Sequence, residues 1–155
     1  MRHFLLVLLL IAANGLAAGD IQPRAGWIVL PTDKTHSALL TDLRSAVKAN
    51  KMGVVTQAGP TATARQRGID IPENRVVGVF NNKFAVEVLA TSTAAMIEAP
   101  IRFYLTANED GSATLSYKTP SFVFDPYMDE GGDDLAALAS TLDRIFDRIA
   151  QQAIR

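Results

Sequence analysis

Residues 98–120 read EAPIRFYLTANEDGSATLSYKTP, and here two strands and the turn between them can be recognised from local chemistry. Residues 108–111, Asn-Glu-Asp-Gly, favour a chain reversal, since Asn and Asp bond their own backbone and Gly supplies a positive φ. Apolar residues alternate on both sides of this turn, as in strands that bury one face. They are Ile101, Phe103, Leu105, Ala113, Leu115 and Tyr117. The stretch therefore predicts a β-hairpin.

Three more strands are predicted upstream of the hairpin, at residues 27–30 (WIVL), 53–57 (GVVTQ) and 76–80 (VVGVF). Each is a dense apolar run that is bounded by residues typical of turns. The unbroken run at residues 27–30 indicates a strand that lies centrally in the sheet or is covered on both faces.

Helices are predicted between and after these strands. Leu40, Leu43 and Val47 give a helix of about four turns after the capping residues 32–35, with Gly53 available for a left-handed cap. Further predictions are a short helix at 61–68, two short helices or one kinked helix at 84–97, a polar and aromatic loop at 121–134, and a long helix at 135–154.

This order predicts an α+β fold: a single domain over residues 27–155 with a mainly antiparallel sheet of about five strands. Helices would pack on one face of the sheet, and the longest of them would be C-terminal. A fully parallel, doubly wound sheet is the alternative.

The N-terminus predicts a cleavable signal peptide over residues 1–18, followed by a leader over residues 19–26. Arg2 precedes an apolar run at 4–13 that is shorter than the about 20 residues of a membrane span, and small residues follow. We therefore expect an exported protein that is periplasmic or secreted and has no membrane anchor after cleavage.

Composition excludes several classes of function. The chain has no Cys, which removes disulfides, thiolate metal sites and thiol nucleophiles. The net charge of −1 and the lack of a basic run argue against nucleic-acid binding. The acidic residues between 125 and 134 do not have the spacing of a calcium-binding EF-hand loop, and a single histidine after export is a poor start for zinc. We expect no metal and no cofactor.

Four short motifs resemble the bacterial family called domain of unknown function 302. They are TDKTH at 32–36, VVGVFNN at 76–82, APIR at 99–102 and DGSATLSYKTP at 110–120. The resemblance runs from Trp27 to Pro120. It implies a small α+β domain that tends to dimerise and has no established activity.

The sequence departs from the pattern of that family at three places. Pro60 stands where a His is frequent, residues 80–83 read FNNK in place of FGNP, and Val86-Glu87 replaces a Gly-Thr pair. Asn82, Pro100, Tyr117 and Pro120 match the pattern residue by residue. If the differing positions form a ligand site in relatives, this chain has lost or rebuilt that site.

Two residues are candidates for acid–base chemistry. His36 is the only histidine after residue 18, but as a base it would need a partner such as Asp33 or Ser37 within hydrogen-bond reach. It also precedes Leu40 by four residues on the apolar face of a helix, so a boundary position in the core is the favoured interpretation. Glu98 is the second candidate.

A binding groove is predicted on the outer side of the hairpin. Arg102 and Tyr104 alternate with the apolar positions, so they point away from the core. Together with Asn82 and Tyr117 they could bind a small anionic or aromatic molecule, although a solvated sheet face is the simpler interpretation of these positions. Other cations proposed for this groove are Arg65, Arg67 and Lys83.

The leading interpretation is an exported, non-catalytic domain, a homodimer, that binds a small molecule or a partner protein. The alternatives are a small hydrolase or isomerase that uses His36 or Glu98, and a structural partner in a secreted complex. Phe122, Phe124 and Tyr127 would supply the partner surface, unless they pack under the C-terminal helix.

Overall fold

The structure is a computed structural model that describes residues 21–155, so the predicted signal peptide at 1–18 and the start of the leader at 19–26 lie outside the described residues. The elements in chain order are β1 (Trp27–Thr32), α1 (His36–Ala49), β2 (Gly53–Ala58), α2 (Thr61–Gln66), β3 (Asn74–Phe80), α3 (Asn82–Thr91), a 3-10 turn (Ala94–Glu98), β4 (Ile101–Ala107), β5 (Ala113–Lys118), α4 (Pro120–Phe124), a second 3-10 turn (Asp125–Tyr127) and α5 (Met128–Ile154). Among residues 21–155, no helix combines the length and the hydrophobicity needed to cross a bilayer.

The five strands form one antiparallel sheet in the order β1-β5-β4-β3-β2. The predicted hairpin is confirmed as β4 and β5, which pair from Phe103 opposite Tyr117 to Ala107 opposite Ala113. Asp110 Oδ1 closes the turn by accepting the backbone N–H of Ser112 at 2.9 Å. The α+β class, the five-stranded sheet and the long C-terminal helix are therefore confirmed.

An aromatic stack joins the hairpin to α5 beneath the sheet. The Phe103 and Phe146 rings lie 4.9 Å apart at an interplanar angle of 13°, and the Tyr117 ring lies 5.0 Å from that of Phe103. All three residues are buried in one core with the inner faces of α1 and α5. Stacked rings contribute through both burial and geometry, so they fix the position of the long helix against the central strands.

Helix α1 begins as predicted but ends differently. Thr35 Oγ1 accepts the N–H of Ala38 at 3.3 Å, as an N-cap does. The predicted left-handed cap at Gly53 is wrong, because Lys51 adopts that conformation (φ 59°) and Gly53 lies in β2. Asn50 closes the helix through both its backbone N–H and its side chain, which donates to Ala46 O at 2.8 Å. The helix therefore ends earlier than a cap at Gly53 would require.

Strand β1 lies at an edge of the sheet, so its predicted central position is wrong. Its residues are apolar in succession because each face of the strand contacts apolar surroundings. Ile28 and Leu30 pack on the core, while Trp27 faces the opposite side and lines a groove. Pro31 fits an edge strand because its missing N–H breaks no ladder hydrogen bond there.

The loop predicted at residues 121–134 is largely helical, and the C-terminal helix begins at Met128 rather than at 135. Thr119 caps α4 by accepting the N–H of Phe122 at 3.3 Å, and Pro120 occupies its first turn. The long helix breaks at Gly132, whose φ of 56° and ψ of −152° suit glycine alone, so its regular part starts close to the predicted position.

The segment predicted as two short helices is confirmed as α3 and the 3-10 turn that follows it. Ser92 separates them: its Oγ accepts the N–H of Ala95 at 3.1 Å and donates to Glu130 at 2.8 Å. A hydroxyl that replaces backbone partners in this way interrupts a helix.

Candidate functional site

A groove of about 490 Å³ lies on the face of the sheet opposite the helical core, and this volume falls in the range of small-molecule sites. It runs from the turn after β2 to the segment that precedes β4. Its lining residues are Trp27, Ala58, Gly59, Pro60, Asn74, Val76, Glu98, Ile101, Arg102, Tyr104, Tyr117, Lys118 and Val123.

The register of the strands brings the side chains of this groove together. Arg102 and Tyr104 alternate with the buried residues of β4, so they point away from the core. Val76 of β3 lies opposite Tyr104, and Trp27 of β1 lies opposite Lys118 of β5. Residues from four of the five strands thus share one surface.

Two cations occupy one row of this surface. Phe103 pairs with Tyr117, so the same register continued by one residue places Arg102 opposite Lys118. Neither cation forms an ion pair with a carboxylate of residues 21–155. Lys118 Nζ lies 5.8 Å from the Trp27 ring centroid, within the range of a cation–π contact. The row is therefore positive, with an aromatic ring at its end.

The side of the groove that precedes β4 carries a carboxylate. Glu98 Oε1 accepts the hydroxyl proton of Tyr127 at 2.8 Å. This hydrogen bond is the main cause that raises the pKa of the Tyr127 phenol above its usual value. Glu98 is thus held in place by Tyr127 and forms no ion pair with a cation of the described chain.

The far end of the groove is built by the turn between β2 and α2. The Asn74 amide donates to Pro72 O at 3.1 Å and to Thr61 Oγ1 at 3.4 Å, which ties this turn to β3. Gly59 is required beside it, because a Cβ there would collide with Asn74 O. Pro60 lines this end, so the position expected to carry the family's His presents an apolar ring to the groove.

Three of the four predicted ligand-binding residues line the groove: Arg102, Tyr104 and Tyr117. Tyr117 contributes little surface, because it is only 3% exposed and its ring stacks in the core. Asn82 does not line the groove, since it is the exposed first residue of α3. The other cations proposed with them, Arg65, Arg67 and Lys83, are also absent from its lining.

His36 and Glu98 do not share a site. His36 is a half-buried residue at the start of α1 and does not line the groove. Its Nε2 is buried without a hydrogen-bond partner, as is the Nε of Arg75. Burial lowers the pKa of His36 below its usual value, Glu73 opposes this effect and Arg75 reinforces it. Neither Asp33 nor Ser37, the partners considered for a catalytic role, forms a hydrogen bond with this Nε2.

Residues 21–155 contain no group of three or more His, Asp or Glu side chains arranged to hold a metal ion. In the segment considered for calcium, Glu130 accepts a hydrogen bond from Ser92, and Asp125 lies in the 3-10 turn before α5.

Sequence reasoning missed Trp27, Lys118 and Val76 as parts of the groove. Lys118 could have been found, because it lies on the same side of β5 as the outward residues of β4 once the hairpin register is drawn. Trp27 could not have been found in this way, because its place depends on the pairing of β1 with β5, which no local pattern encodes.

The comparisons with known proteins concern fold and family. A solved structure described as "uncharacterized conserved protein DUF302 from Bacillus stearothermophilus" is similar to this chain with a TM-score of 0.74 at 16% identity, over 85% of this chain and 100% of that chain. A search of curated proteins found no match. The family model described as "Domain of unknown function DUF302" matches residues 28–152, which include most of α5 as well as the sheet. This protein therefore belongs to the DUF302 family.

Proposed function

We propose that this protein is an exported, non-catalytic domain that binds a small anionic or aromatic molecule in the groove on the open face of its sheet. One observation carries the proposal: aromatic rings and two cations without a carboxylate partner in residues 21–155 line the same groove. Convergent polar groups in a largely apolar concavity are typical of ligand sites.

The lining of the groove favours binding over catalysis. It includes one carboxylate, Glu98, and no His, Ser, Thr or Cys among the described residues. A Ser, Thr or Cys nucleophile and a histidine base are therefore lacking, so acyl transfer by a serine-type or cysteine-type dyad has no starting point there.

A small hydrolase or isomerase that uses Glu98 is the second candidate, because this carboxylate faces the groove and is positioned by Tyr127. A Glu98→Gln variant separates the two functions. The binding proposal expects the variant to keep its ligand, whereas the enzyme proposal expects turnover by the wild type that this variant loses. His36 has no place in this candidate because it lies outside the groove.

A structural or assembly partner in a secreted complex is the third candidate. Phe122 supports it, since its ring is 43% exposed, but Phe124 is buried and Tyr127 is bonded to Glu98. We also propose that the protein is a homodimer, as the family resemblance implies. Light scattering of the purified protein measures its mass directly and tests this part.

We propose the periplasm as the site of function, on the basis of the sequence pattern of residues 1–18. N-terminal sequencing of the protein from a periplasmic extract tests this part. A mature chain that begins near residue 19 supports it, and an uncleaved chain in the cytoplasmic fraction contradicts it.

Native mass spectrometry tests the binding function itself. The mature protein is purified from periplasm without chelators, and its mass is compared with that of one or two chains. We expect a reproducible increment from a retained ligand that is lost in an Arg102→Gln, Lys118→Gln double variant. An unaltered increment in that variant would place the ligand elsewhere, and no increment would argue against a tightly retained ligand.

A further inference from the structure

We propose that the ligand is an aromatic carboxylate, with its carboxylate group between Arg102 and Lys118 and its aromatic body over Tyr104 and Val76. This inference rests on the proposed binding function and adds to it the class of the ligand and its direction in the groove.

The anionic end is argued from the row of cations. Continuing the register of β4 and β5 by one residue past Phe103 and Tyr117 places Arg102 opposite Lys118, and like charges in opposite positions destabilise a sheet. Ion pairs elsewhere in the described chain satisfy other cations, as in Lys34 with Asp42 and Arg65 with Glu73. This row has no such partner, so an anion bound there would remove the repulsion and gain charge-assisted hydrogen bonds from both side chains.

A carboxylate suits this row because of the geometry of its two cations. The planar guanidinium of Arg102 can bind both oxygens of a carboxylate, and the ammonium group of Lys118 adds a third donor. Trp27 lies beside Lys118 on the next strand and supplies a flat apolar wall. The row can therefore hold a small planar anion, with the Trp27 ring beside it.

The direction of the ligand follows from Glu98. This carboxylate lines the groove on the side that precedes β4, so a second negative charge is disfavoured there. In the opposite direction the groove is lined by a continuous apolar and aromatic strip. Tyr104 lies opposite Val76, Val76 lies opposite Ala58, and Pro60 closes the end. The ring of the ligand thus extends along this strip.

Two matched probes test the inference: naphthalene-2-carboxylate and the neutral naphthalene-2-carboxamide, which has nearly the same shape. Trp27 is the single tryptophan of the chain and lines the groove, so its fluorescence reports occupancy, and calorimetry gives the affinity. We expect the carboxylate to bind at least about tenfold more tightly than the carboxamide, and more weakly as salt is added.

Arg102→Gln and Lys118→Gln should each weaken binding of the carboxylate about tenfold or more and leave binding of the carboxamide nearly unchanged. Arg67→Gln is the matched control, since it removes one charge outside the groove and should change neither affinity. Circular dichroism of each variant verifies that the fold is intact.

The outcomes separate this inference from the proposed function. Equal affinity for the two probes, or an affinity for the carboxylate that Arg102→Gln and Lys118→Gln leave unchanged, overturns the ligand class while the groove remains a binding site. Absence of binding of both probes, together with a retained ligand in native mass spectrometry, also overturns the class. If neither probe binds and no ligand is retained in native mass spectrometry, the ligand class and the binding function are overturned together.

Discussion

Trp27 and Lys118 face each other across β1 and β5, with the lysine Nζ 5.8 Å from the centroid of the indole. Arg24 lies over the same ring at 5.1 Å. The indole is therefore flanked by two cations in a groove whose neighbouring position is also a cation, Arg102. This relationship makes the single tryptophan a probe of the local electrostatic potential.

Fluorescence quenching should reveal this potential. We expect the ratio of the iodide to the caesium quenching constant of Trp27 at low salt to exceed that of free N-acetyltryptophanamide roughly twofold or more, because positive charge concentrates anions near the ring. Lys118→Gln should reduce the ratio, and Arg67→Gln should not. A ratio in the wild type equal to that of the free compound would mean that the groove is not positive at the indole.

The aromatic stack under the sheet predicts a large effect on stability. Phe146→Ala should lower the free energy of unfolding by about 3–5 kcal/mol, because it removes a buried ring that stacks on Phe103. Urea unfolding measures the loss. The control is Phe122→Ala, whose ring is more exposed and which should cost clearly less; similar losses in the two variants would contradict the assigned packing.

The break in α5 predicts that a side chain at Gly132 lowers stability through backbone strain alone. Gly132→Ala should destabilise the protein by about 1–3 kcal/mol, because φ is positive there while a Cβ would meet no atom within 4 Å. Gly53→Ala is the matched control, since its Cβ would make only an ordinary contact with Phe80 O. If Gly132→Ala is neutral in thermal and urea unfolding, the helix does not break at this residue.

His36 predicts a dependence of stability on pH. Its folded-state pKa is lowered, chiefly by burial, so the unfolded chain binds the proton more strongly than the folded one. Stability from this residue is complete above the unfolded pKa of about 6.5 and is lost as the pH falls through the lower folded value.

The loss should be no more than about 1 kcal/mol between about pH 7.5 and about pH 5, because His36 is only half-buried and solvent screens its charge. Of the two charged groups that act on the imidazole, Arg75 opposes protonation and Glu73 favours it. Urea unfolding at the two pH values measures the effect, and His36→Asn should reduce it. A wild-type protein that becomes more stable on acidification would contradict the sign.

Much of the fold could be predicted, because its central hairpin is specified by residues that are close together in sequence. The turn at 108–111 and the alternation on both sides specify β4 and β5 without reference to the rest of the chain. The errors arose where a local signal was ambiguous. An apolar run such as WIVL is produced equally by a central strand and by an edge strand with a groove on its outer face. Thr119-Pro120 begins a helix, but the aromatic residues that follow it indicated a loop.

The candidate site was predictable only in part, for the same reason. Alternation along β4 places Arg102 and Tyr104 outward from sequence alone. Their neighbours depend on strand order: Trp27 reaches the groove because β1 adds next to β5, and Val76 because β3 adds next to β4. Asn82 was included because it matched a family motif, and such a match carries no information about which face of the fold it occupies.

The strand order also sets an order of events in folding. Among the described strands β1 comes first in sequence, but it pairs with β5, which comes last. Closing so long a loop is slow compared with formation of the hairpin. β1 should therefore pair after the β4–β5 hairpin has formed, and the wall of the groove that carries Trp27 is completed late in folding.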